Sequence, residues 1–123
     1  MSDEITIGVN ASVSKSGIVR SLPFTSATID QTTAARGGQS QNLTTAWEDI
    51  DTGDVTEGYI FLSHVDGTIQ WGPEQSGSAG AAEICGTLID GDPPASFHLT
   101  SGVTLKARAS TGTARVDVEI WSV

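Results

Sequence analysis

The chain has 123 residues, of which 37% are hydrophobic and 6% aromatic, and its formal net charge is -9. An acidic chain repels phosphate backbones, so nucleic acid is not expected as a partner. The single cysteine excludes an intramolecular disulfide, and no apolar stretch reaches the roughly 20 residues of a membrane-spanning helix, so no membrane partner is expected either.

Short strands are predicted in the first third of the chain. Ile5–Val13 alternates apolar and polar residues, and Thr25–Thr33 is rich in β-branched residues. A further strand over Ile18–Phe24 is expected to end at Pro23, because proline cannot donate a hydrogen bond to a ladder. Ala34–Gln41 is expected to be a Gly-rich polar loop.

The middle of the chain contains the strongest strand signal, Gly58–Val65, which is apolar on both faces as in a central strand. Before it, Leu43–Ile50 fits either a capped helical turn or a strand, and its alternating apolar residues favour the strand. After it, Asp66–Gly67 is a typical hairpin turn, with Thr68–Trp71 as the returning strand. Two further strands are predicted, Glu83–Ile89 and Ala95–Leu99.

The C-terminal residues from Gly102 to Val123 predict a hairpin of two alternating strands. A two-residue turn would place Arg108 opposite Arg115. A four-residue turn would place Arg108 opposite Asp117 and Lys106 opposite Glu119, and the attraction between opposite charges favours this register. The expected inner stripe is Val103, Leu105, Val116, Val118 and Ile120, and the expected outer stripe is Lys106, Arg108, Asp117, Glu119 and Trp121.

These elements predict an all-β fold, a single antiparallel β-sandwich or barrel of jelly-roll-like type with about eight to ten short strands. We expect one domain over residues 1–123, with residues 1–17 as a candidate arm. Met1–Glu4 has neither the positive region nor the apolar region of a secretory signal, so synthesis and retention in a cytoplasm are expected.

Catalysis has weak candidates in this sequence. Cys85 with His64 or His98 supplies the residue types of a thiol nucleophile and its base, but no spacing brings them together. No phosphate-binding loop, metal-thiolate pattern or nucleophile elbow is present in the sequence. We therefore predict no catalytic residue and no enzyme.

Metal binding also has weak candidates, in the acidic turn that contains Asp49, Asp51 and Asp54. Calcium is bound by several carboxylate and carbonyl oxygens, which such a turn could supply, although the spacing is not that of an EF-hand loop. Because Asp and Gly are common in solvated turns, we predict neither a metal nor any other cofactor.

Glycan binding is a further possibility, because Trp47, Trp71 and Trp121 could form a stacking platform. Large aromatic side chains are more commonly found in cores and in protein interfaces. Packing is therefore the favoured role for these three residues.

Three segments carry a resemblance to a known class of protein. Gly58–Gly72 has a tyrosine, an apolar run, a short turn and a returning strand, Gly102–Ser110 reads Gly-Val-Thr-Leu-Lys-Ala-Arg-Ala-Ser, and Ala114–Ile120 is a valine-rich strand. Together they resemble small virion proteins of tailed bacteriophages, of the accessory capsid (decoration or cement) and head–tail structural type. The resemblance covers Tyr59 to Ile120 and departs from the usual pattern over Pro93–Ser101, where such proteins carry a basic or proline-glycine turn.

The resemblance implies a non-enzymatic virion structural protein that binds and reinforces the phage head as a homo-oligomer, with a trimer favoured. The partner would then be the major capsid protein or another virion protein, and the chain would be made in the host cytoplasm and found in the virion. The alternative is a tail-associated β-sandwich module that binds carbohydrate or the host surface. The expected contact residues are Val13, Lys15, Arg36, Lys106, Arg108, Asp117, Glu119 and Trp121.

Overall fold

The computed structural model describes residues 5–15, 18–29, 36–75 and 80–122. All regular elements in these segments are β-strands, eleven in number, which confirms the predicted all-β fold class. Within the same segments no helix is long and apolar enough to cross a membrane. The chain divides into two compact units, residues 1–33 with residue 123, and residues 34–122.

The first unit is a long two-stranded antiparallel hairpin, in which β1 (Ile5–Lys15) pairs with β2 (Ile18–Ile29). β2 continues through Pro23, which lies opposite Asn10, so the prediction that Pro23 ends a strand is wrong. In a two-stranded hairpin each strand has one edge without a sheet partner, and proline is tolerated at such an edge. Residues 1–17, the candidate arm, belong to this unit together with the returning strand.

Five strands of the second unit form one antiparallel sheet: β3 (Arg36–Gly37), β4 (Ser40–Leu43), β6 (Gly58–Asp66), β9 (Ala95–Leu99) and β11 (Ala114–Ser122). β6 lies along one side of β11, and the short strands β3 and β4 follow each other along the opposite side. β9 pairs with the far side of β6. The segment predicted as a polar loop, 34–41, therefore contributes residues to β3 and β4.

The remaining four strands, β5 (Glu48–Asp49), β7 (Thr68–Pro73), β8 (Gly86–Ile89) and β10 (Leu105–Ala109), form a second antiparallel sheet. Their order in this sheet is β5-β10-β7-β8. The single strand predicted over 43–50 is wrong, because β4 ends at Leu43 and the chain bends before β5 begins. The strand predicted over 83–89 begins later, at Gly86.

The two turns that were predicted to close hairpins carry the chain from one sheet to the other. Gly67 connects β6 to β7, and residues 110–113 connect β10 to β11. We call these two connections between the sheets the corners. β6 pairs with β11 and β7 pairs with β10, so two long bent strands lie side by side across both sheets. Both predicted hairpins are therefore wrong. A strand that turns such a corner keeps the same alternation of inward and outward side chains as a strand in a hairpin.

Gly67 makes the first corner possible. Its φ of +85° lies in the left-handed region, which glycine adopts without steric cost. A Cβ at this position would lie 3.2 Å from the carbonyl oxygen of Thr113 and 3.3 Å from the Cβ of Ala114. The two corners are therefore packed against each other.

The inward faces of the two sheets share one hydrophobic core, as in a β-sandwich, and the sheets are not closed into a barrel. Alternate residues of β6 and β11 supply its centre, including Ile60 and Ile120 with no exposed surface. The inner stripe predicted for the C-terminal strands is confirmed at Leu105, Val116, Val118 and Ile120. One expectation is wrong, since Val103 is 43% exposed. Lys106 alternates with Leu105 and Ala107 and so lies on the outer side of its strand as expected, but it is buried there.

Trp71 of β7 and Phe97 of β9 pack against this core from different sheets. Their rings are stacked, with centroids 5.2 Å apart and planes within 10° of parallel. The Trp71 ring lies over Gly86, where a Cβ would come within 2.7 Å of the ring. Trp71 is thus a packing residue that joins the two sheets.

Candidate functional site

Large rings lie on the outer face of the five-stranded sheet. Because Ile60 points into the core, its neighbours Tyr59 and Phe61 point outward, and Trp121 and His98 lie opposite Tyr59 on the two flanking strands. The ring centroids of Phe61 and Trp121 are 4.6 Å apart, and those of Tyr59 and His98 are 5.3 Å apart. We call these four residues the outer aromatic cluster. His98 is exposed and the other three are half-buried.

Carboxylates border the outer aromatic cluster. Glu57 Oε2 lies 3.0 Å from His98 Nε2, and Trp121 Nε1 donates a hydrogen bond of 2.9 Å to Glu119 Oε1. The side chains of His98 and Glu57 are 43% and 42% exposed, so water screens the attraction between them. The cluster therefore presents apolar ring surface next to hydrogen-bond acceptors.

A polar group lies on the same sheet, where the register of β6 and β11 shifts between Arg115 and Asp117. At this irregularity His64 has a φ of +49° and an imidazole that is 78% exposed. Ser40 Oγ donates to Asp117 Oδ1, while Asp117 Oδ2 and Ser63 Oγ lie 3.4 Å and 3.1 Å from His64 Nδ1. In a Ser-His-Asp triad the serine and the aspartate contact different ring nitrogens. Here both contact Nδ1, so these residues do not have triad geometry.

Cys85 lies beside the four-stranded sheet. It is exposed, it precedes β8, and its N–H donates a hydrogen bond of 2.8 Å to the carbonyl oxygen of Trp71. The two candidate bases lie on the five-stranded sheet, His64 in β6 and His98 in β9. Among the described residues, their contacts are to Asp117 and Ser63 for His64 and to Glu57 and Tyr59 for His98. The structure therefore does not pair Cys85 with either histidine.

Two cationic residues lie on the outer face of the four-stranded sheet. Lys106 Nζ donates to Asp49 Oδ1 on the neighbouring strand β5. This hydrogen bond raises the pKa of Lys106 above its ordinary value, burial lowers it, and the charges of Asp49 and Glu74 raise it further, with a net increase. Arg108 Nε donates a hydrogen bond of 2.9 Å to Gln70 Oε1, and its guanidinium lies 4.4 Å from the centre of the Trp47 ring. Both cations are thus engaged within the second unit.

The predicted outer stripe is divided between the two sheets. Lys106 and Arg108 lie on the four-stranded sheet, whereas Asp117, Glu119 and Trp121 lie on the five-stranded sheet. The predicted pairing of Arg108 with Asp117 and of Lys106 with Glu119 is wrong, because a corner separates β10 from β11. The cross-strand neighbours are Gln70 for Arg108, Gly72 and Asp49 for Lys106, Ser63 and Ser40 for Asp117, and Phe61 for Glu119.

The other predicted contact residues are placed through their backbone. Val13 and Lys15 lie in β1 of the hairpin, opposite Arg20 and Ile18 of β2. Arg36 lies in β3, opposite Trp121 at the edge of the five-stranded sheet. The side chains of Val13, Lys15 and Arg36 lie outside the described part of the structure.

The acidic turn predicted as a calcium candidate uses its carboxylates in other contacts. Asp51 accepts hydrogen bonds from Gln39 Nε2 at 2.7 Å and from the Gly53 N–H at 2.8 Å, and Asp49 accepts from Lys106. In the described segments no group of three or more His, Cys, Asp or Glu residues is arranged to hold a metal ion. The structure therefore does not bring Asp49, Asp51 and Asp54 together as ligands.

The three tryptophans likewise do not form one platform. Trp47 packs on Arg108 at the outer face of the four-stranded sheet, and Trp71 packs on the core. Trp121 belongs to the outer aromatic cluster on the opposite side of the sandwich. A glycan could therefore not stack on all three.

A polar pocket of about 700 Å³ lies where the two corners meet. Two carboxylates and one guanidinium line it, from Glu48, Asp66 and Arg115. The remaining lining residues are Asn42, Leu43, Thr44, Gly67, Thr113 and Ala114. Sequence patterns missed this pocket because it forms only when β6 and β11 both turn from one sheet to the other.

Sequence patterns identified part of the outer aromatic cluster. The alternation in β11 predicted the outward direction of Trp121, and the apolar run of β6 was the available signal for Tyr59 and Phe61 on the outer face. His98 joins them through the pairing of β9 with β6, which no local sequence pattern specifies.

No protein family, no curated protein and no solved structure significantly matches this chain.

Proposed function

We propose that the chain is a non-enzymatic structural protein that docks into a larger assembly through its outer aromatic cluster. The outer face of an antiparallel sheet is commonly polar, whereas this sheet presents Tyr59, Phe61 and Trp121 there, all half-buried. Tyrosine and tryptophan are enriched in protein interfaces and among the residues that contribute most to binding. This ring surface is the observation that carries the proposal.

The hairpin of the first unit supports the same role. Among the described strands, β1 and β2 pair only with each other, so each has one edge without a sheet partner. An isolated two-stranded hairpin has marginal stability in water, and a free edge pairs readily with a strand of another chain. Addition of the hairpin to the sheet of a neighbouring subunit would supply these missing hydrogen bonds.

The specific form of the proposal is a decoration or cement protein on the head of a tailed bacteriophage. The resemblance of Gly58–Gly72, Gly102–Ser110 and Ala114–Ile120 to such proteins supports this part. The partner is then the major capsid protein or another virion protein, and the chain acts as a homo-oligomer, with a trimer favoured. Repeated weak contacts on a symmetric shell give high avidity even when one contact is weak.

Virions with the wild-type chain and virions with the variant Phe61→Ser test this proposal. Cryo-electron microscopy should show the wild-type chain at symmetry-related positions on the capsid, and Phe61→Ser should reduce its occupancy because the Trp121 ring loses its partner. Val103→Ser is the matched control, since it removes an exposed apolar side chain outside the cluster and should leave occupancy unchanged. Absence of the wild-type chain from the capsid, or equal occupancy of Phe61→Ser, would contradict the proposal.

A tail-associated module that binds carbohydrate or the host surface is the second candidate. The observation in its favour is the position of Glu119 and Glu57 next to exposed ring surface, since carboxylates accept hydrogen bonds from sugar hydroxyls. The ring pairs are inclined by 52° and 38°, which gives no single flat stacking surface. Density confined to the tail, together with saturable glycan binding that Trp121→Ala abolishes, would establish this candidate.

A further inference from the structure

The pocket at the two corners has charged groups that the fold does not neutralise. Arg115 and Asp66 are cross-strand partners in the register of β6 and β11, yet no ion pair joins their side chains in the described structure. Both residues are exposed. Opposed charges on neighbouring strands commonly interact, so two separated charges at a pocket rim are available to a ligand.

Glu48 adds an acceptor to the pocket wall. Its Oε2 is buried and has no hydrogen-bond partner within the described segments, although part of the residue is still exposed. A buried acceptor without a donor costs free energy, and each such group in a folded protein requires an explanation. A ligand that donates a hydrogen bond to this carboxylate would offset part of that cost.

The pocket thus has acceptors and a cation but no aromatic lining residue. Its volume of about 700 Å³ is within the range of small-molecule sites. A sugar ring would find no stacking partner there, whereas a ligand with charges of both signs would satisfy Glu48, Asp66 and Arg115 together. Charge-assisted hydrogen bonds of this kind are the stronger class.

We propose that this pocket binds a small zwitterion, an amino acid or a short peptide with free termini. The ammonium group donates to the carboxylates of Glu48 and Asp66, and the carboxylate accepts from the guanidinium of Arg115. The pocket shares no residue with the outer aromatic cluster, so this site does not depend on the proposed structural role.

Trialanine is a suitable probe, because its two termini can be blocked separately. Two-dimensional NMR of the full chain should show saturable shifts at the amides of 42–44, 66–67 and 113–115, and calorimetry should give the dissociation constants. Glu48→Gln should weaken trialanine about tenfold and leave the binding of N-acetyl-trialanine, which has no ammonium group, unchanged. Arg115→Gln should weaken trialanine similarly and leave the binding of trialanine amide, which has no carboxylate, unchanged.

Asp54→Asn is the matched control for charge, because Asp54 is an exposed carboxylate outside the pocket. This variant should keep the wild-type affinity, and all variants should keep the dispersed NMR spectrum of the folded chain. The proposal is overturned if trialanine gives no saturable shifts at these amides. It is also overturned if Asp54→Asn weakens binding as much as Glu48→Gln, or if a peptide blocked at both termini binds as well as trialanine.

Discussion

Lys106 and Asp49 contact each other but differ in burial, so replacing one of them should destabilise the protein more than replacing the other. The Lys106 side chain is 9% exposed and the Asp49 side chain is 67% exposed. Asp49→Asn therefore leaves a largely buried ammonium without its carboxylate, whereas Lys106→Met removes the ammonium and keeps an aliphatic side chain in its place. We expect Asp49→Asn to destabilise the protein more than Lys106→Met.

The structure also sets the size of the effect. A hydrogen bond to a charged group contributes about 1.5–3 kcal/mol to stability. Solvent screening at the exposed Asp49 reduces the expected loss for Asp49→Asn to about 1 kcal/mol. For Lys106→Met we expect a loss below about 0.5 kcal/mol, because the methionine retains most of the packing of the lysine stem. A difference of this size shifts the melting temperature by several degrees in a domain of this length.

Thermal and urea unfolding, followed by circular dichroism, measure these differences. The pKa of Lys106 is raised in the folded state, so the stabilisation is fully present below the unfolded-state pKa and is lost as pH rises through the folded-state pKa. The stability gap between wild type and Asp49→Asn should therefore be constant near neutral pH and close above pH 10.5, the ordinary value for lysine. Equal losses for the two variants, or a gap that persists at high pH, would refute this reasoning.

Two further pairs of variants test the corners and the core. Gly67→Ala should cost about 1–3 kcal/mol of unfolding free energy, from backbone strain at positive φ and from contact with the second corner. Gly91→Ala, at a similar φ but with open space around it, should cost less, and equal losses in urea unfolding would contradict the packed corner. Ile120→Ala should cost about 2–5 kcal/mol because it empties a fully buried site. Val103→Ala should change stability by less than about 0.5 kcal/mol, and a large loss there would show that Val103 belongs to the core after all.

Alternation along β11 shows how much of the fold the sequence could predict. Val116, Val118 and Ile120 were expected to be buried, and they are, because the side of a sheet on which a residue lies depends only on its position in the strand. Which strand becomes its neighbour depends on the turn between the strands. A corner and a hairpin turn are flanked by the same alternation of apolar and polar residues, so the sequence does not distinguish them. The partner of Arg108 was therefore predicted incorrectly, although its direction was correct.

In the candidate site, too, the direction of a side chain was predictable from the sequence and its contacts were not. The outward position of Trp121 followed from its own strand, whereas its contact with Phe61 required the pairing of β11 with β6. The burial of Lys106 was missed because its cover and its partner Asp49 come from elsewhere in the chain. Contacts between distant segments were thus the part that single-sequence patterns could not supply.

The bent strands also have a consequence for the folding kinetics of the second unit. Each of the two pairs of adjacent strands, β6 with β11 and β7 with β10, unites segments that are far apart in the chain. Such non-local pairing requires loop closure before it gains stability, so refolding should take milliseconds to seconds rather than microseconds. Because the same two bent segments are the inner strands of both sheets, neither sheet can detach and leave the other intact. Amide hydrogens in β6 and β10 should accordingly exchange through one common global opening.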